Sequence, residues 1–288
     1  MAAVATAWKP PAAFGRQFYG ELRDRHSICG AVLAEVVHEH ARDVPVHTHD
    51  VAYFSLVLEG LYREGDARGR TLYQPYCATF NPVGTRHDGH ILAGGARFFT
   101  AELEGSWLAP FPRETMEQPF ADQNGGPLLW FCLRLYRDHL EGEAASPLVA
   151  ESLLWEMLAT AAGWGGDRYR DSPSWWPRVR EKLHAEFRGQ LRLRDLAAEA
   201  GVHPVHLARV CRRFERRSVG EYMLALRARL ACELLSRPDL PVAQVAAEAG
   251  FADQSHLTRM FKRLTGTTPA AFRAQLAAQR RRTRSPLS

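Results

Sequence analysis

An internal repeat in the last third of the chain constrains its fold more than any other feature. Residues 195–214 (DLAAEAGVHPVHLARVCRRF) return as residues 244–264 (QVAAEAGFADQSHLTRMFKRL), with one residue added in the second turn. Each copy has a small residue where two helices would cross, then a glycine, Gly201 or Gly250, that can adopt a positive φ. A second helix follows each glycine. This order of parts predicts two helix-turn-helix units in tandem.

The second helix of each unit has an apolar and a polar face. Its apolar residues recur at i, i+3, i+4 and i+7 and are expected to face the core: Leu207, Val210, Cys211 and Phe214, then Leu257, Met260, Phe261 and Leu264. The other face carries side chains that suit base edges and phosphates: His206, Arg209, Arg212 and Arg213, then Gln254, Ser255, His256, Arg259, Lys262 and Arg263. The N-terminal end of a recognition helix generally reaches the bases, so readout is assigned chiefly to His206, Arg209, Gln254, His256 and Arg259. The later arginines and the lysine are assigned to phosphates.

A long helix is predicted between the two units. Ser218-Val-Gly-Glu221 has the pattern of a capping box, and the helix it starts runs to about Ser236, which is roughly 27 Å at 1.5 Å per residue. Recognition helices that enter successive major grooves lie about 34 Å apart, so one chain could read two adjacent grooves. Thr268-Pro269 is predicted to begin a last helix.

Charge divides the chain into an acidic and a basic part. Residues 1–174 hold 15 Lys plus Arg against 22 Asp plus Glu, whereas residues 175–288 hold 22 against 10. Basic helical repeats also build scaffolds. The matched turns, the capping box and the basic charge together favour double-stranded DNA as the partner of this half.

Cysteine usage and hydropathy give the expected compartment. The five cysteines are scattered, odd in number and free of a Cys-x-x-Cys spacing, which predicts reduced thiols. The sequence has neither a secretory leader pattern nor an apolar run near the roughly 20 residues of a membrane span. The expectation is a cytoplasmic protein with no membrane partner.

Most of the stretch before residue 165 reads as β structure followed by helices. Short β-rich runs between Val51 and Glu102 are cut by turn signals, which is typical of an antiparallel sandwich or barrel. Helical periodicity follows in two stripes, at 128–136 and 153–158. The predicted fold class is therefore α+β with two domains: a β-barrel with trailing helices, then an all-α domain of two helix-turn-helix units joined by a linker helix.

The C-terminal third resembles the AraC/XylS-type transcription regulators. The resemblance covers about 100 residues from Arg178 and is most specific along AGFADQSHLTRMFKRLTGTTPAAFR, residues 249–273. It implies transcription control, positive in most members through contact with RNA polymerase, and an N-terminal domain for effector binding or dimerisation. Leu257 and Cys211 depart from the family pattern, where aromatic residues are usual, and both are predicted to affect packing rather than specificity.

The N-terminal half resembles the small β-barrel called a cupin. His47-Thr-His49 and Pro82-Val-Gly-Thr-Arg-His87 match its two signature segments in weakened form. Metal-binding cupins have a Glu four or five residues after the second His, where this chain has Tyr53 and Phe54. The three imidazoles of His47, His49 and His87 could still bind Zn²⁺ or Fe²⁺. Alternatively, these histidines hydrogen-bond loops or line a ligand pocket.

Together these patterns predict the domain limits. Residues 1–165 form a cupin-like sensing or dimerisation domain, with the barrel at about 20–110 and helices at about 126–163. Residues 166–177 are a linker, residues 178–278 an AraC-type DNA-binding domain, and residues 279–288 a basic tail that is disordered in isolation.

Two functions from different classes remain open at this stage. The leading one is a regulator without catalytic residues, controlled by an unidentified small-molecule effector or by homodimerisation. The helical stripes at 128–136 and 153–158 either form the dimer surface, which is slightly favoured, or pack on their own barrel. The alternative function is a metal-dependent cupin enzyme fused to a DNA-binding domain, and the absent Glu counts against it.

Overall fold

The protein divides into a β-rich and a helical compact unit. The computed structural model describes residues 18–66, 69–142, 146–164 and 171–284. One unit comprises Met1–Gln123 and Pro127–Gly166, and the other Asn124–Gly126 and Asp167–Ser288. An antiparallel sheet with helices and a separate helical unit are what the sequence predicts at this level.

Eight strands form one antiparallel sheet. They are β1 (Glu21–Ile28), β2 (Ala31–His38), β3 (Arg42–Thr48), β4 (Ala52–Asp66), β5 (Gly69–Tyr73), β6 (Ala78–Asn81), β7 (Arg86–Leu103) and β8 (Phe120–Asp122). The strand order is β1-β2-β7-β4-β6-β8, with β3 also paired to β7 and β5 to β4. The long strands β4 and β7 lie side by side and organise the sheet.

Strand β4 corrects the predicted division of residues 51–66 into short runs. Glycine at position 60 and the polar residues after it read as a turn, but the strand continues to Asp66. Gly60 takes a φ of 82°, and the pairing of β4 with β7 shifts register on both sides of it. A β-bulge absorbs such a local kink without ending a strand.

The two faces of the sheet have different neighbours. Helix α2 (Pro127–Glu141) contacts β4, β6 and β8, and it also packs on α3 (Pro147–Trp164). A short helix, α1 (Arg113–Met116), contacts α3 as well. Since side chains alternate along a strand, Phe54 and Phe99 belong to the helix-covered face, while Tyr53 and Phe98 line a cavity on the other.

The apolar stripes of α2 and α3 are used inside their own unit. Leu128, Leu135, Leu154 and Met157 are fully buried in the single chain. The slightly favoured assignment of these stripes to a dimer surface is therefore wrong, and the alternative of packing on their own domain is correct. The physical reason is that the sheet presents a large apolar face that needs a cover.

Seven helices make up the described part of the second unit. They are α4 (Trp176–Glu186), α5 (Leu193–Glu199), α6 (Pro204–Glu215), α7 (Val219–Leu235), α8 (Val242–Glu248), α9 (Gln254–Thr265) and α10 (Pro269–Arg284). The predicted linker helix and last helix are thus present as α7 and α10. Within the described residues, no helix combines the length and apolar character needed to cross a membrane.

Two predicted boundaries need correction. Helix α4 begins at Trp176, inside the predicted linker 166–177, because the Trp176 side chain is fully buried and Pro177 suits a first helical turn. Helix α10 continues to Arg284, through most of the predicted tail 279–288, since Gln279 is still buried and arginine is a good helix former. Residues 166–170 and 285–288 lie outside the described residues.

Candidate functional site

The two repeats fold into turns with matching backbone hydrogen bonds. In the first, the Gly201 amide donates to Ala198 and the Val202 amide to Ala197, at 3.1 and 2.9 Å. In the second, the Gly250 amide donates to Ala247 and the Phe251 amide to Ala246, at the same two distances. The glycines take φ values of 67° and 84°, as the sequence predicts. Each turn therefore sets a short helix against the helix that follows it.

Helices α6 and α9 begin with a side chain that caps the first turn. His203 accepts from the Val205 amide at 3.3 Å through Nδ1, and Pro204 follows at the first helical position. Asp253 accepts from the His256 amide through Oδ1 at 2.6 Å. Such caps satisfy amide groups that would otherwise lack a partner at a helix start.

The apolar faces of α6 and α9 pack largely as predicted. Leu207, Cys211, Leu257 and Phe261 are fully buried, so both departures from the family pattern are core residues. Met260 and Leu264 are only half-buried and lie at the flank of the face. The sequence missed the next buried position, which is Glu215 in α6 and Thr265 in α9. Glu215 is tolerated there because Arg180 lies 3.1 Å from its Oε1.

The predicted DNA-contacting residues lie on the exposed sides of α6 and α9. Nine of the ten are exposed: His206, Arg209, Arg212, Arg213, Gln254, Ser255, Arg259, Lys262 and Arg263. The tenth, His256, is half-buried, with Nδ1 at 3.4 Å from the Ala252 amide and its ring edge-on to Phe251. His256 therefore also supports the turn. The His206 ring makes a similar contact with Trp175, with 5.6 Å between the ring centroids.

Sequence reasoning missed one residue on this surface. Val205, in the first turn of α6, is 58% exposed although it is apolar. It occupies the repeat position of Ser255, which was assigned to DNA, and that correspondence was the signal that could have identified it. A valine at this position suits contact with the methyl group of thymine.

Helix α7 connects the two helix-turn-helix copies. Ser218 and Glu221 form the predicted capping box: the Glu221 amide donates to Ser218 Oγ at 3.2 Å, and the Ser218 amide donates to Glu221 Oε2 at 2.8 Å. These bonds to Ser218 lower the pKa of the Glu221 carboxyl. Helix α7 contacts α6, α8, α9 and α10. It therefore packs on helices of both helix-turn-helix copies.

A second candidate site lies in the β-rich unit, where His47, His49 and His87 converge. Strand pairing places His47 opposite His87, and the His49 amide donates to the Thr85 carbonyl at 3.1 Å. The Nε2 atoms of the three rings are separated by 3.0 Å (His47 to His49), 3.0 Å (His49 to His87) and 3.1 Å (His87 to His47). The histidines of the two sequence motifs, His47, His49 and His87, therefore form one cluster.

Polar groups lie behind two of the three rings. Nδ1 of His47 donates to the Pro45 carbonyl at 2.8 Å, and Nδ1 of His87 lies 2.8 Å from Oε2 of Glu64. Burial, followed by the charges of His87 and His47, lowers the pKa of His49 to about 3. Burial also lowers the pKa of His47. Both rings are therefore neutral near pH 7, which is the form that binds metal ions.

The histidine cluster borders a cavity of about 70 Å³, several times the ~10–15 Å³ that a water molecule needs. Tyr53 and Tyr73 line this cavity, whereas Phe54 and Phe80 pack on each other. A second, more polar cavity of about 200 Å³ shares Glu64 and Tyr73 with the first. His90, near the cluster in sequence, instead pairs with Asp43 at 2.6 Å.

Comparison with known proteins places the helical unit. The family described as "Helix-turn-helix domain" matches residues 196–275. The probable transcription factor PqrA of Proteus vulgaris is 32% identical over 83 residues, which are 29% of this chain and 68% of PqrA. The Msm operon regulatory protein of Streptococcus mutans is 28% identical over 98 residues, which are 34% of this chain and 35% of that protein. The MmsAB operon regulatory protein of Pseudomonas aeruginosa is 31% identical over 98 residues, which are 34% of this chain and 31% of that protein.

The exposed polar faces, the paired turns and these relatives define a helix-turn-helix DNA-binding protein of the kind that regulates transcription. The matched segment spans about a third of the length of the Msm and MmsAB regulators. The chain belongs to the AraC-type transcription regulators.

Two solved structures are also similar. ToxT from Vibrio cholerae is 10% identical with a TM-score of 0.37, over 86% of this chain and 98% of ToxT. The DNA-binding domain of AdpA, solved in complex with a target DNA, is 28% identical with a TM-score of 0.34, over 38% of this chain and 96% of that domain.

Proposed function

We propose that this protein regulates transcription by binding a specific DNA sequence through α6 and α9. The observation that carries the proposal is the pair of matched turns, each of which leaves one polar helix face exposed. Residues 1–165 are proposed as the cupin-like sensing domain, and the DNA-binding domain, predicted at 178–278, is proposed to include the whole of α4 and α10. The cytoplasm is the proposed compartment, because a regulator must reach its DNA.

The recognition surface divides into two roles. His206, Arg209, Gln254, His256 and Arg259 lie toward the N-terminal ends of α6 and α9 and read bases. Val205 adds an apolar contact to a thymine methyl group. Arg212, Arg213, Lys262 and Arg263 lie one turn later and hold phosphates, with Ser255 as an additional polar contact. Helix α7 spans about 25 Å along its axis and sets the spacing of the two recognition helices.

The β-rich unit controls this binding. Its cavity beside the histidine cluster is lined by aromatic and polar groups, as small-molecule sites are, which supports an effector bound there. RNA polymerase is the proposed partner in activation. A homodimer is also proposed, through exposed apolar residues of α3 such as Leu148 and Val149 instead of the buried stripes. A monomeric mass in solution at micromolar concentration would contradict the homodimer.

The proposal is tested by selection from a random duplex library at a stated salt concentration. The wild-type protein should enrich one sequence pattern, and Arg209→Ala together with Arg259→Ala should remove the enrichment while salt-sensitive binding persists. The control is Arg178→Ala, which changes an exposed arginine of α4 outside both recognition helices. No enrichment by the wild-type protein would contradict the proposed function.

A metal-dependent cupin enzyme remains the second candidate, favoured by the convergence of His47, His49 and His87. The two functions separate in one comparison, because a regulator should bind its selected DNA in the presence of a chelator. Under the enzyme hypothesis the β-rich unit carries the activity of the protein, and DNA binding would be unspecific. Catalysis is not part of the proposed function.

A further inference from the structure

We propose that His47, His49 and His87 bind one divalent transition-metal ion, preferentially Zn²⁺, and that this ion anchors an anionic oxygen-donor ligand in the adjacent cavity. The metal site stands on the geometry of the three rings alone. The role of the ligand as an effector rests on the proposed function.

Proton placement alone cannot satisfy the contacts among the three nitrogens. Each short Nε2 to Nε2 contact needs one donor and one acceptor, because a neutral imidazole nitrogen is either protonated or a lone-pair acceptor. In a closed triangle of three such atoms, at least one contact joins two atoms of the same kind. A cation that receives all three lone pairs removes this conflict, and three histidine nitrogens are a common zinc ligand set.

The groups behind the rings point to the same conclusion. A carbonyl oxygen accepts only, so the contact with Pro45 puts the proton of neutral His47 on Nδ1 and leaves a lone pair on Nε2. The carboxylate of Glu64, 2.8 Å from Nδ1 of His87, favours the same arrangement in that ring. Carboxylates and carbonyls behind ligating histidines hold metal sites in this way.

Distances and charge define what completes the site. The three Nε2 atoms are 3.0–3.1 Å apart, and Zn–N bonds are about 2.0–2.1 Å long. An ion bonded equally to all three therefore lies about 1 Å from the plane of the nitrogens. Its coordination position on the side away from them stays open. Glu64 is the single acidic residue among the described residues that line the 70 Å³ cavity. A dication beside one carboxylate leaves a net positive charge in a buried place, which favours an anionic ligand such as a carboxylate.

The test uses the full-length protein after treatment with a chelator and removal of the chelator. Titration calorimetry with Zn²⁺ should give one ion bound per chain. Co²⁺ bound in its place should show the visible absorption of a four-coordinate site. His49→Ala should abolish binding, and the more exposed His47→Ala should weaken it at least 100-fold. Glu64→Gln should weaken binding by about 10–100-fold while one ion per chain still binds.

The matched control is His90→Ala, three residues after His87 on β7, whose ring is 40% exposed and paired with Asp43. It should bind Zn²⁺ as the wild-type protein does. Thermal unfolding without metal identifies variants that fail to fold. Acetate and oxalate, added to the Co²⁺ form, should change its visible spectrum; an unchanged spectrum would contradict the anionic ligand.

Equal Zn²⁺ affinity of the wild-type protein and His47→Ala would overturn the metal site. So would a loss of Zn²⁺ affinity in His90→Ala as large as that in His47→Ala. DNA selection with the chelated protein is measured in parallel. Enrichment without metal binding would reject this inference and keep the proposed function. Metal binding without enrichment of a DNA sequence would keep the metal site and reject the proposed function, together with the ligand's role as an effector.

Discussion

The two helix-turn-helix turns differ in how well their glycine tolerates a side chain. Gly201 and Gly250 hold the same repeat position and the same left-handed conformation. A Cβ atom on Gly201 would meet nothing within 4 Å, whereas one on Gly250 would lie 2.5 Å from the carbonyl oxygen of Arg188. The second turn is therefore closed against its neighbour, and the first is open.

The expected consequence is an unequal cost of the same substitution. Gly201→Ala should lower the free energy of unfolding by about 1–2 kcal/mol, which is the cost of a left-handed conformation for a residue with a Cβ. Gly250→Ala should cost that amount plus about 1–3 kcal/mol of overpacking. Urea unfolding of both variants measures the difference, and equal losses would mean that the contact with Arg188 is easily relieved.

Arg259 and Lys262 are predicted to differ in kind of DNA contact. Arg259→Ala should cost about 1–3 kcal/mol at one base position and relax specificity there, because it removes a contact to a base edge. Lys262→Ala should weaken binding to all sequences and reduce the salt dependence, because it removes a phosphate contact. Equal losses on specific and random DNA for Arg259→Ala would contradict its assignment to base readout.

The sequence predicted some site residues and missed others for identifiable reasons. The repeat located Gly201, Gly250 and the exposed faces, because local periodicity decides them. It could not reveal Glu64, since alternation along β4 would place it on the face opposite Tyr53. The register shift between Val57 and Glu59 reverses that alternation and brings Glu64 to the cavity.

Helix α7 shows how a local signal fixes an element. Its start follows from the capping box, and its end at Leu235 agrees with the predicted limit near Ser236. Helix α10 shows the opposite case. Its basic C-terminal residues predict a disordered tail, but burial of Leu276 and Gln279 extends the helix. Tertiary packing decides most helical stability, and the sequence pattern alone does not display it.

The capping box predicts a pH dependence of stability. Ser218 lowers the pKa of Glu221 in the folded protein, so this stabilisation is complete above the ordinary glutamate pKa of about 4.3 and is lost as the pH falls through the folded value. Glu221→Gln should therefore be less stable than wild type at pH 7, and the difference should shrink below about pH 4.

Urea unfolding between pH 7 and pH 3 measures this difference. Glu181→Gln, an exposed position on α4, serves as the matched control and should leave the stability difference small at every pH. A Glu221→Gln deficit that is constant with pH would mean that the carboxylate charge does not stabilise the start of α7.

For the whole molecule, charge and architecture divide along the same line. The acidic part of the sequence forms the sheet, its covering helices and the histidine cavity, and the basic part forms the helical unit. The sequence predicted this division, because charge balance and periodicity change together along the chain. Closure of the sheet into a cupin-like barrel stays a prediction, as does control by a small-molecule effector.

The most direct test of the central claim is the distribution of the purified protein over fragments of its own genome, with and without chelator, at a stated salt concentration. Sequence-specific binding through α6 and α9 should give discrete sites that contain two recurrent motifs about one helical turn, roughly 10 base pairs, apart. These sites should persist after chelation. Diffuse binding that disappears with added salt would contradict sequence-specific binding, because the repeat would then grip DNA without reading its sequence.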